Sequence, residues 1–214
     1  MANINGAFGL RPIAKVGSNT NSTGVTGYTQ YEIASGNTNA LYHGQPVIPL
    51  STGYIDLTGD AAGGTVRLLG AFMGCEYVSS TTGKPTWSNY WPGSGADTSI
   101  PVKAWVADDP NQVFVIATDA TWTSKATARA GVFANASFAT ATSGSTTSGL
   151  SSATIGVSTI ATTLTLNLRI MGWVDDPSNA DFTAAGIGAI VRLNNHFNSG
   201  TPAASDGTGT NIGI

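Results

Sequence analysis

Two copies of one acidic tripeptide are the residues of this chain whose types and spacing could do chemistry. Residues 108–110 and 175–177 both read Asp-Asp-Pro, and each copy follows an apolar run that contains Trp-Val. A glycosidase needs two carboxyl groups about 5–9.5 Å apart, one of them in a cleft where its pKa is raised. Asp108 or Asp175 could supply such a group if the fold brought the two copies together.

The same tripeptide is also typical of a turn. Asp109 and Asp176 stand directly before their prolines, and aspartate suits the first position of a β-turn while proline suits the second. This interpretation leaves Asp108 and Asp175 exposed beside the turns, and it places both turns at one end of the β-domain. We favour it over the glycosidase, because nothing in the sequence places the two acidic pairs together, and we expect no enzymatic activity.

Other candidate sites in the sequence are incomplete. Asp175, Asn179 and Asp181 could contribute oxygen ligands to Ca²⁺, but they supply only part of a loop such as that of an EF-hand. His43 and His196 are the only histidines, too few for a histidine-rich metal site. The chain has no G-x-S-x-G element in a strand-turn-helix context, no P-loop and no dinucleotide fingerprint. The sequence therefore predicts no catalytic residue, no metal site and no cofactor.

The composition predicts a surface with few charges. Only 10 % of the 214 residues are charged, against roughly 25 % in an average soluble domain. Hydroxyl and amide groups cost less to desolvate than Lys or Glu, so such a surface suits a protein that packs against others. The single cysteine, Cys75, rules out an internal disulfide and is predicted to be a buried apolar residue.

Charge and hydropathy argue against two classes of partner. The net charge is −3 and the nine Lys and Arg residues are scattered singly, so phosphate-driven binding of nucleic acid is not expected. No stretch has the roughly 20 continuous apolar residues that span a bilayer, so no membrane partner is expected. The first residues lack the basic and then apolar pattern of a signal peptide, which predicts synthesis in a cytoplasm.

Short segments with β-strand patterns fill most of the chain. Successive side chains of residues 27–34 are expected to point alternately to solvent and to the core, a period of two that is typical of a strand. The clearest strand is predicted at residues 164–170, where Leu and Ile alternate with Thr, Asn and Arg. Two prolines in residues 44–50 predict an edge strand or the rim of a barrel. Further strands are predicted at residues 64–78, 101–107 and 186–197. The predicted fold class is mainly β, a single antiparallel β-sandwich or barrel of the jelly-roll or β-tulip kind.

Two segments depart from the strand pattern within this domain. Residues 123–133 predict one short helix, with Thr123 or Ser124 as its N-cap and Gly131 as its stop. Residues 139–153 are of low complexity and hold too little apolar surface to join a core. We expect this second segment to form a loop or weakly specified strands.

The ends of the chain are predicted to be an extended arm and a flexible tail. Ile4, Phe8 and Leu10 are the apolar anchors of the arm, and the arm either packs on its own domain through Phe8 and Leu10 or reaches a neighbouring subunit. Arg11 stands before a proline, which disfavours helix. The last residues are poor in apolar side chains. The predicted organisation is an arm at residues 1–12, a β-domain at residues 13–198 and a tail at residues 199–214.

Residues 79–95 predict a loop that is rich in large aromatic side chains. The loop carries Trp87, Tyr90 and Trp91 without helical or strand spacing. These rings either cover the end of the β-domain or form a contact platform, since Trp and Tyr are frequent interface anchors. A platform could contact another protein subunit or stack on sugar rings, and we favour protein contact.

Several segments of the chain resemble a family of tailed-bacteriophage virion proteins. They are NGAFGLRPI near the start, YHGQPVIPLSTGYI, VKAWVADDPNQVFVI, and LNLRIMGWVDDPSN with VRLNNHF. The likeness extends from residue 3 to residue 198, and VADDPNQVFVI is its most specific piece. Members of this family are usually described as minor structural proteins or as head decoration (cement) proteins.

The resemblance implies a protein of the outer capsid surface of the virion, made in the host cytoplasm. Its implied partners are the major capsid protein and further copies of itself, as a homotrimer in preference to a homodimer. The alternative is a carbohydrate-binding or host-attachment protein of the tail or fibre. Under the decoration hypothesis the residues expected to contact the capsid or a neighbouring subunit are Phe8, Leu10, Arg11, Trp87, Tyr90 and Trp91.

Overall fold

The computed structural model describes residues 3, 6–16, 27–58 and 67–199. Ile4 of the predicted arm and all of the predicted tail except Ser199 lie outside the described residues. The described strands are β1 (Arg11–Lys15), β2 (Thr29–Ile33), β3 (Pro46–Pro49), β4 (Ile55–Leu57), β5 (Gly70–Val78), β6 (Pro85–Ser88), β7 (Val102–Ala107), β8 (Gln112–Ala117), β9 (Asn135–Ala136), β10 (Phe138–Thr140), β11 (Thr154–Ile155), β12 (Leu168–Trp173) and β13 (Gly188–Leu193). The described helices are α1 (Lys125–Ala130) and two 3-10 turns, Val157–Thr159 and Pro177–Asn179.

Two antiparallel sheets organise these strands. Sheet I has the order β1-β8-β13-β12-β9, and sheet II has the order β2-β7-β5-β3-β4, with β6 also paired to β5. A small third sheet pairs β10 with β11. The mainly β fold class with antiparallel sheets and one short helix, consistent with a β-sandwich, is therefore confirmed.

Sheet II carries apolar side chains on both of its faces. On one face, Ala71 and Met73 of β5 join a cluster that includes Phe114 and Ile170 of sheet I, so this cluster lies between the sheets. On the other face, Phe72 belongs to a second cluster formed within sheet II and its loops. Burial on both faces explains why β5 is a continuous apolar run rather than an alternating one.

Glycine permits a change of register in the middle of β5. The pairing of β5 with β7 shifts between Phe72 and Gly74, which marks a β-bulge. Gly74 has φ +141°, and a Cβ there would lie 3.1 Å from the carbonyl oxygen of Ser88. A side chain at this position would be strained by the backbone conformation, so the bulge depends on glycine.

The proline-containing strand β3 is not at an edge of sheet II, so the edge-strand alternative predicted for it is wrong. β3 lies between β5 and β4 in sheet II. Its prolines, Pro46 and Pro49, are the first and last residues of the strand, while Val47 between them accepts a hydrogen bond at its carbonyl from Leu69 N–H, 2.8 Å away. Prolines at both ends of a short strand leave its middle free to pair.

The strand predicted at residues 164–170 begins four residues later than expected. β12 starts at Leu168, and Leu164 is 58 % exposed. The side-chain amide of Asn194 donates to the carbonyls of Leu164 and Leu166, at 2.8 and 3.0 Å. A side chain therefore satisfies the backbone groups that a longer strand would have paired.

The predicted helix is confirmed in a shorter form. α1 begins after Ser124, whose hydroxyl accepts a hydrogen bond from the backbone of Thr127. Gly131 caps the end of α1 with φ −80°, so the left-handed stop expected there is absent. The positive φ falls instead on Phe133, at +72°, in a region that costs a non-glycine residue roughly 1–2 kcal/mol.

The low-complexity segment contributes to the core, contrary to expectation. Ala141 and Ala153 are fully buried in the cluster between the sheets. Tyr42 packs so closely on Gly144 that a Cβ there would lie 2.2 Å from its ring. Small residues join the core here because they let other groups approach the backbone, not because they bring apolar area of their own.

Candidate contact surface

The three aromatic residues of the predicted loop lie in three different environments. Trp91 is fully buried in the second cluster, where its ring meets Tyr77 edge-on at 5.4 Å and its backbone pairs with Leu41. Its indole N–H donates to the carbonyl of Asn37, 3.3 Å away. Trp91 was predicted as a contact residue, but it lies in the protein's own core.

Tyr90 is half-buried and stacks on another tyrosine. Its ring lies parallel to that of Tyr42, with centroids 5.8 Å apart. The backbone carbonyl of Tyr90 accepts a hydrogen bond from the thiol of Cys75. Tyr90 thus holds the end of the β5–β6 hairpin against the loop that carries Tyr42.

Trp87 is the exposed member of the three, and it lies on a strand. Residue 87 belongs to β6, which pairs with β5 inside the segment predicted to be a loop. The Trp87 side chain is 66 % exposed, and one face of its ring stacks on Trp105, with centroids 4.2 Å apart and planes 21° apart. The opposite face is open to solvent, so the pair forms a flat aromatic surface.

Charged side chains continue this aromatic surface across sheet II. Glu76 lies directly opposite Trp87 on one side and Lys103 on the other, and Lys103 lies opposite Glu32. Residues paired directly across antiparallel strands share one face. We call Trp87, Trp105, Glu76, Lys103 and Glu32 the tryptophan platform.

Trp105 was not predicted as a contact residue, although the sequence carries a signal for it. In β7, Val102, Ala104 and Val106 are buried in the second cluster, while Lys103 between them is exposed. The period of two puts Trp105 on the same face as Lys103. A large aromatic residue on the charged face of a strand is a candidate contact residue.

Within the predicted arm, Leu10 packs on the protein's own domain. Leu10 is fully buried between the sheets, and its N–H donates to the carbonyl of Gly44, 2.7 Å away. Gly9 has φ +71°, and a Cβ on it would lie 2.5 Å from that carbonyl oxygen. Leu10 was predicted as a contact residue, but its side chain is part of the core, and β1 begins directly after it.

Phe8 and Arg11 line a small groove at the start of β1. The Arg11 guanidinium lies over the Phe8 ring, 4.6 Å from its centroid, which is a cation–π arrangement. Asp176 of the second acidic turn also lines this groove, whose volume is about 190 Å³. Phe8 and Arg11 are therefore placed near each other, while Trp87 lies on the other sheet.

The first acidic turn joins the two sheets and recruits partners from both. It connects β7 of sheet II to β8 of sheet I. Asp108 accepts hydrogen bonds from the hydroxyls of Tyr31 and Thr29, at 2.6 and 2.8 Å. Asp109 accepts from the backbone of Asn111 at 2.8 Å and forms an ion pair with Lys15. Asp108 is half-buried, so its predicted exposure is wrong.

Hydrogen bonding and burial shift the pKa values around this turn. The Lys15 ammonium lowers the pKa of Asp109 by a hydrogen bond. Burial raises the pKa of the Tyr31 hydroxyl, and the hydrogen bond to Asp108 adds to the effect. The carboxylates of this turn are thus occupied by structural partners.

The second acidic turn has the predicted local form. Asp176 accepts hydrogen bonds from the backbone of Ser178 and the amide of Asn179, at 2.9 and 2.7 Å, and it caps the 3-10 turn Pro177–Asn179. The hydrogen bonds from Asn179 and Ser178 lower its pKa. Asp175 is exposed, as expected. Both acidic motifs are turn formers, which confirms that interpretation for Asp109 and Asp176.

The two acidic turns lie at opposite ends of sheet I, so their predicted placement at one end is wrong. β8 and β12 are both antiparallel to β13 and therefore run parallel to each other. The first turn precedes β8, whereas the second follows β12. Six-residue strands separate the turns by roughly 20 Å, which is too far for the paired carboxyl groups of a glycosidase.

His196 is buried beside the first acidic turn. It is 2 % exposed, its Nδ1 accepts a hydrogen bond from the backbone of Asn198 at 3.0 Å, and its buried Nε2 has no partner among the described residues. Burial lowers the pKa of His196 to about 4, although Asp108 and Asp109 partly oppose the effect. His196 is therefore neutral at pH 7, and its position is that of a packed core residue.

Three further observations bear on function. In the described residues, no group of three or more His, Cys, Asp and Glu side chains could hold a metal ion. Cys75 is buried as predicted, and burial raises the pKa of its thiol to about 12. No helix in the described ranges has the length and apolar character to cross a membrane.

Comparisons with protein-family models, with curated proteins and with solved structures find no match to this chain.

Proposed function

We propose that this chain is a bacteriophage capsid decoration protein. It binds the outer surface of the major capsid protein lattice and stabilises the DNA-filled head. Binding to the assembled lattice stabilises that state by mass action, and repetition over the shell makes a modest affinity sufficient. The proposed location is the outer capsid surface of the virion, and the chemistry of binding needs no cofactor.

The tryptophan platform is the observation that carries this proposal. Trp87 presents an open ring face that is held flat by Trp105, so little side-chain entropy is lost when a partner covers it. Large aromatic side chains of this kind are common anchors at protein interfaces. The low charge of the chain and the resemblance of its VADDPNQVFVI segment to tailed-bacteriophage virion proteins support the same function.

The decisive experiment mixes the purified protein with capsids that lack it. Saturable co-sedimentation, density at symmetry axes in cryo-electron microscopy and a higher temperature of DNA release are expected. Trp87→Ala should weaken binding about tenfold or more, as loss of a central anchor does. Trp87 is exposed, so this variant should keep its fold.

Leu164→Ala is the matched control. Leu164 is exposed to a similar extent but lies before β12 of sheet I, away from the platform. Its truncation should leave capsid binding unchanged. Absence of wild-type binding to the shell would refute the decoration function, and equal binding by Trp87→Ala would refute the role of the platform.

The arm is better tested by substitution than by truncation. Removing residues 1–12 would also remove buried Leu10 and the start of β1, so lost binding could reflect lost folding. Phe8→Ala and Arg11→Ala instead change the surface of the groove. Weaker capsid binding by both variants, with an unchanged melting temperature, is the outcome expected if the arm contributes to contact.

Carbohydrate binding is the second candidate, and the same platform favours it. An open tryptophan face flanked by Glu76 and Lys103 can stack on a sugar ring while polar groups meet its hydroxyls. The relevant pair is Trp87 with Trp105, in place of the Trp87 and Trp91 pair expected from sequence. Glycan-array binding that is lost in Trp87→Ala, together with no binding to capsids, would favour a host-attachment function.

A further inference from the structure

A second surface, separate from the tryptophan platform, surrounds helix α1. An open groove of about 510 Å³ lies between α1 and β12, and it is lined by apolar atoms of Val132 and Trp173 and by Lys125 and Arg129. Trp173 anchors the floor of the groove, because its indole N–H donates to the carbonyl of Ala128 at 3.1 Å.

Phe133 stands beside this groove as an exposed aromatic residue. It follows Val132 directly and is 77 % exposed, the most exposed of the large apolar side chains in the described ranges. It is also the only non-glycine residue there with a positive φ. Its N–H donates to the carbonyl of Ile170 at 2.8 Å, which holds the backbone in place. The fold thus presents a bulky apolar side chain outward from a strained position.

The charges around the groove are complementary, and none of them forms an ion pair with a described residue. Neither Lys125 nor Arg129 forms an ion pair with any described residue. Asp175 follows the groove residue Trp173 by two positions, and its exposed carboxylate likewise has no partner within the described ranges. The Lys125 ammonium lies over the Phe182 ring, 5.9 Å from its centroid, and Arg129 is the second cation of the groove. One patch therefore holds an apolar projection, an apolar groove and two cations outside any ion pair, with an exposed carboxylate two positions beyond Trp173.

We propose that this patch binds a second copy of the chain across a twofold axis. A twofold contact brings one patch against itself, so each feature must meet its complement on the same surface. Here Phe133 of one copy enters the groove of the other, and Asp175 of one copy faces Lys125 or Arg129 of the other. Each contact is then made twice.

This inference refines the self-association within the proposed function and does not depend on capsid binding. The resemblance to virion proteins favours a homotrimer, whereas the self-complementary patch favours a homodimer. A homotrimeric ring would need Phe133 and the groove to lie on different sides of each subunit. Binding to capsids and pairing of copies are measured separately, so either can fail alone.

Analytical ultracentrifugation of the full chain over a range of concentrations tests the proposal. The wild type is expected to reach the mass of a dimer. Phe133→Gly should be monomeric at the same concentrations while keeping or raising its thermal stability, because glycine accepts a positive φ without strain. This second readout separates a lost interface from a lost fold. Leu164→Gly, at another exposed apolar residue, is the control that should remain dimeric.

Charge reversal tests the pairing of the patch with itself. Lys125→Glu and Asp175→Lys should each weaken dimerisation about tenfold or more, and combining the two in one chain should restore it, since each copy then offers the reversed pair. A wild type that stays monomeric, a wild type that forms trimers, or a Phe133→Gly variant that still dimerises would each overturn the proposal.

Discussion

The two acidic turns share a sequence and a local geometry but differ in nearly everything around them. In both, the aspartate before proline accepts a backbone hydrogen bond from the second residue after it, at 2.8 Å for Asp109 and 2.9 Å for Asp176. The neighbouring carboxylates diverge, since Asp108 binds two hydroxyl groups whereas Asp175 is exposed. The tripeptide encodes the turn, and the elements that the turn connects decide its partners.

The strands that each turn connects explain why Asp108 has hydroxyl partners and Asp175 is exposed. The first turn passes from sheet II to sheet I, so it lies where side chains of β1, β2 and the segment after β13 converge. The second turn leaves β12 and returns to β13 within sheet I. The hydrogen bonds of Asp176 therefore stay within its own loop, although its side chain also lines the groove beside Phe8 and Arg11. The following predictions test whether the first turn is a structural junction and the second a local feature.

The largest expected effect is a loss of stability in acid that depends on His196. Its folded-state pKa is about 4, below the value of about 6.5 expected in the unfolded chain. Between these values the unfolded state binds more protons, so the free energy of unfolding falls as pH decreases from 6.5 to 4, by roughly 3 kcal/mol. Urea denaturation at a series of pH values measures this slope.

His196→Gln should flatten the slope, because glutamine does not titrate. If the His196→Gln protein keeps the full decline between pH 6.5 and 4, the histidine beside the first turn is not its source.

The next effect distinguishes the two neighbouring carboxylates directly. Asp108→Ala removes the acceptor for Tyr31 and Thr29 and should lower the free energy of unfolding by about 2 kcal/mol, as for hydrogen bonds to a charged group. Asp175→Ala should change it by less than about 0.5 kcal/mol, as exposed substitutions usually do. Both are measured by urea denaturation of dilute protein at pH 7. Equal losses of unfolding free energy in the two variants would mean that Asp108 and Asp175 contribute equally to stability.

A smaller effect is expected from the cap of the second turn. Asp176→Ala removes the acceptor for Ser178 and Asn179, and loss of such a cap should lower the melting temperature by about 2–4 °C. Asp176→Asn keeps an acceptor oxygen and should recover much of that loss. An unchanged melting temperature in Asp176→Ala would show that Pro177 alone sets the turn.

Features that depend on nearby residues were predictable from the sequence. The buried face of β2, with Tyr31 and Ile33, follows from alternation. Helix chemistry narrowed the N-cap to Thr123 or Ser124, and both aspartate–proline turns follow from their own residues. Each of these features requires only contacts within a few positions along the chain. The fold class followed from summing such local patterns.

Features that depend on distant pairing were not predictable in the same way. Trp87 and Trp91 are four residues apart, yet one stacks in the open on Trp105 and the other fills a core, because Trp87 lies in β6, which pairs with β5, whereas Trp91 pairs with Leu41. The hydroxyl partners of Asp108 come from β2, 77 and 79 residues earlier. No spacing within the sequence records such contacts.

The smallest effect concerns the ion pair of the first turn. Lys15 and Asp109 are each about a third exposed, so solvent screens their attraction, and such pairs contribute roughly 0.2–1 kcal/mol. Lys15→Met, Asp109→Asn and the double variant form a thermodynamic cycle whose coupling energy should fall within that range and decrease with added salt. The lowered pKa of Asp109 gives the same contribution a pH dependence, since it is present above the unfolded-state pKa of about 3.9 and is lost as the pH falls through the folded-state value. A coupling energy near zero at low salt would mean that this ion pair does not help to hold β1 to the turn, and that hydrogen bonds such as those from Val16 N–H to the Asn111 carbonyl and from the Gln112 amide to the Ala14 carbonyl do so instead.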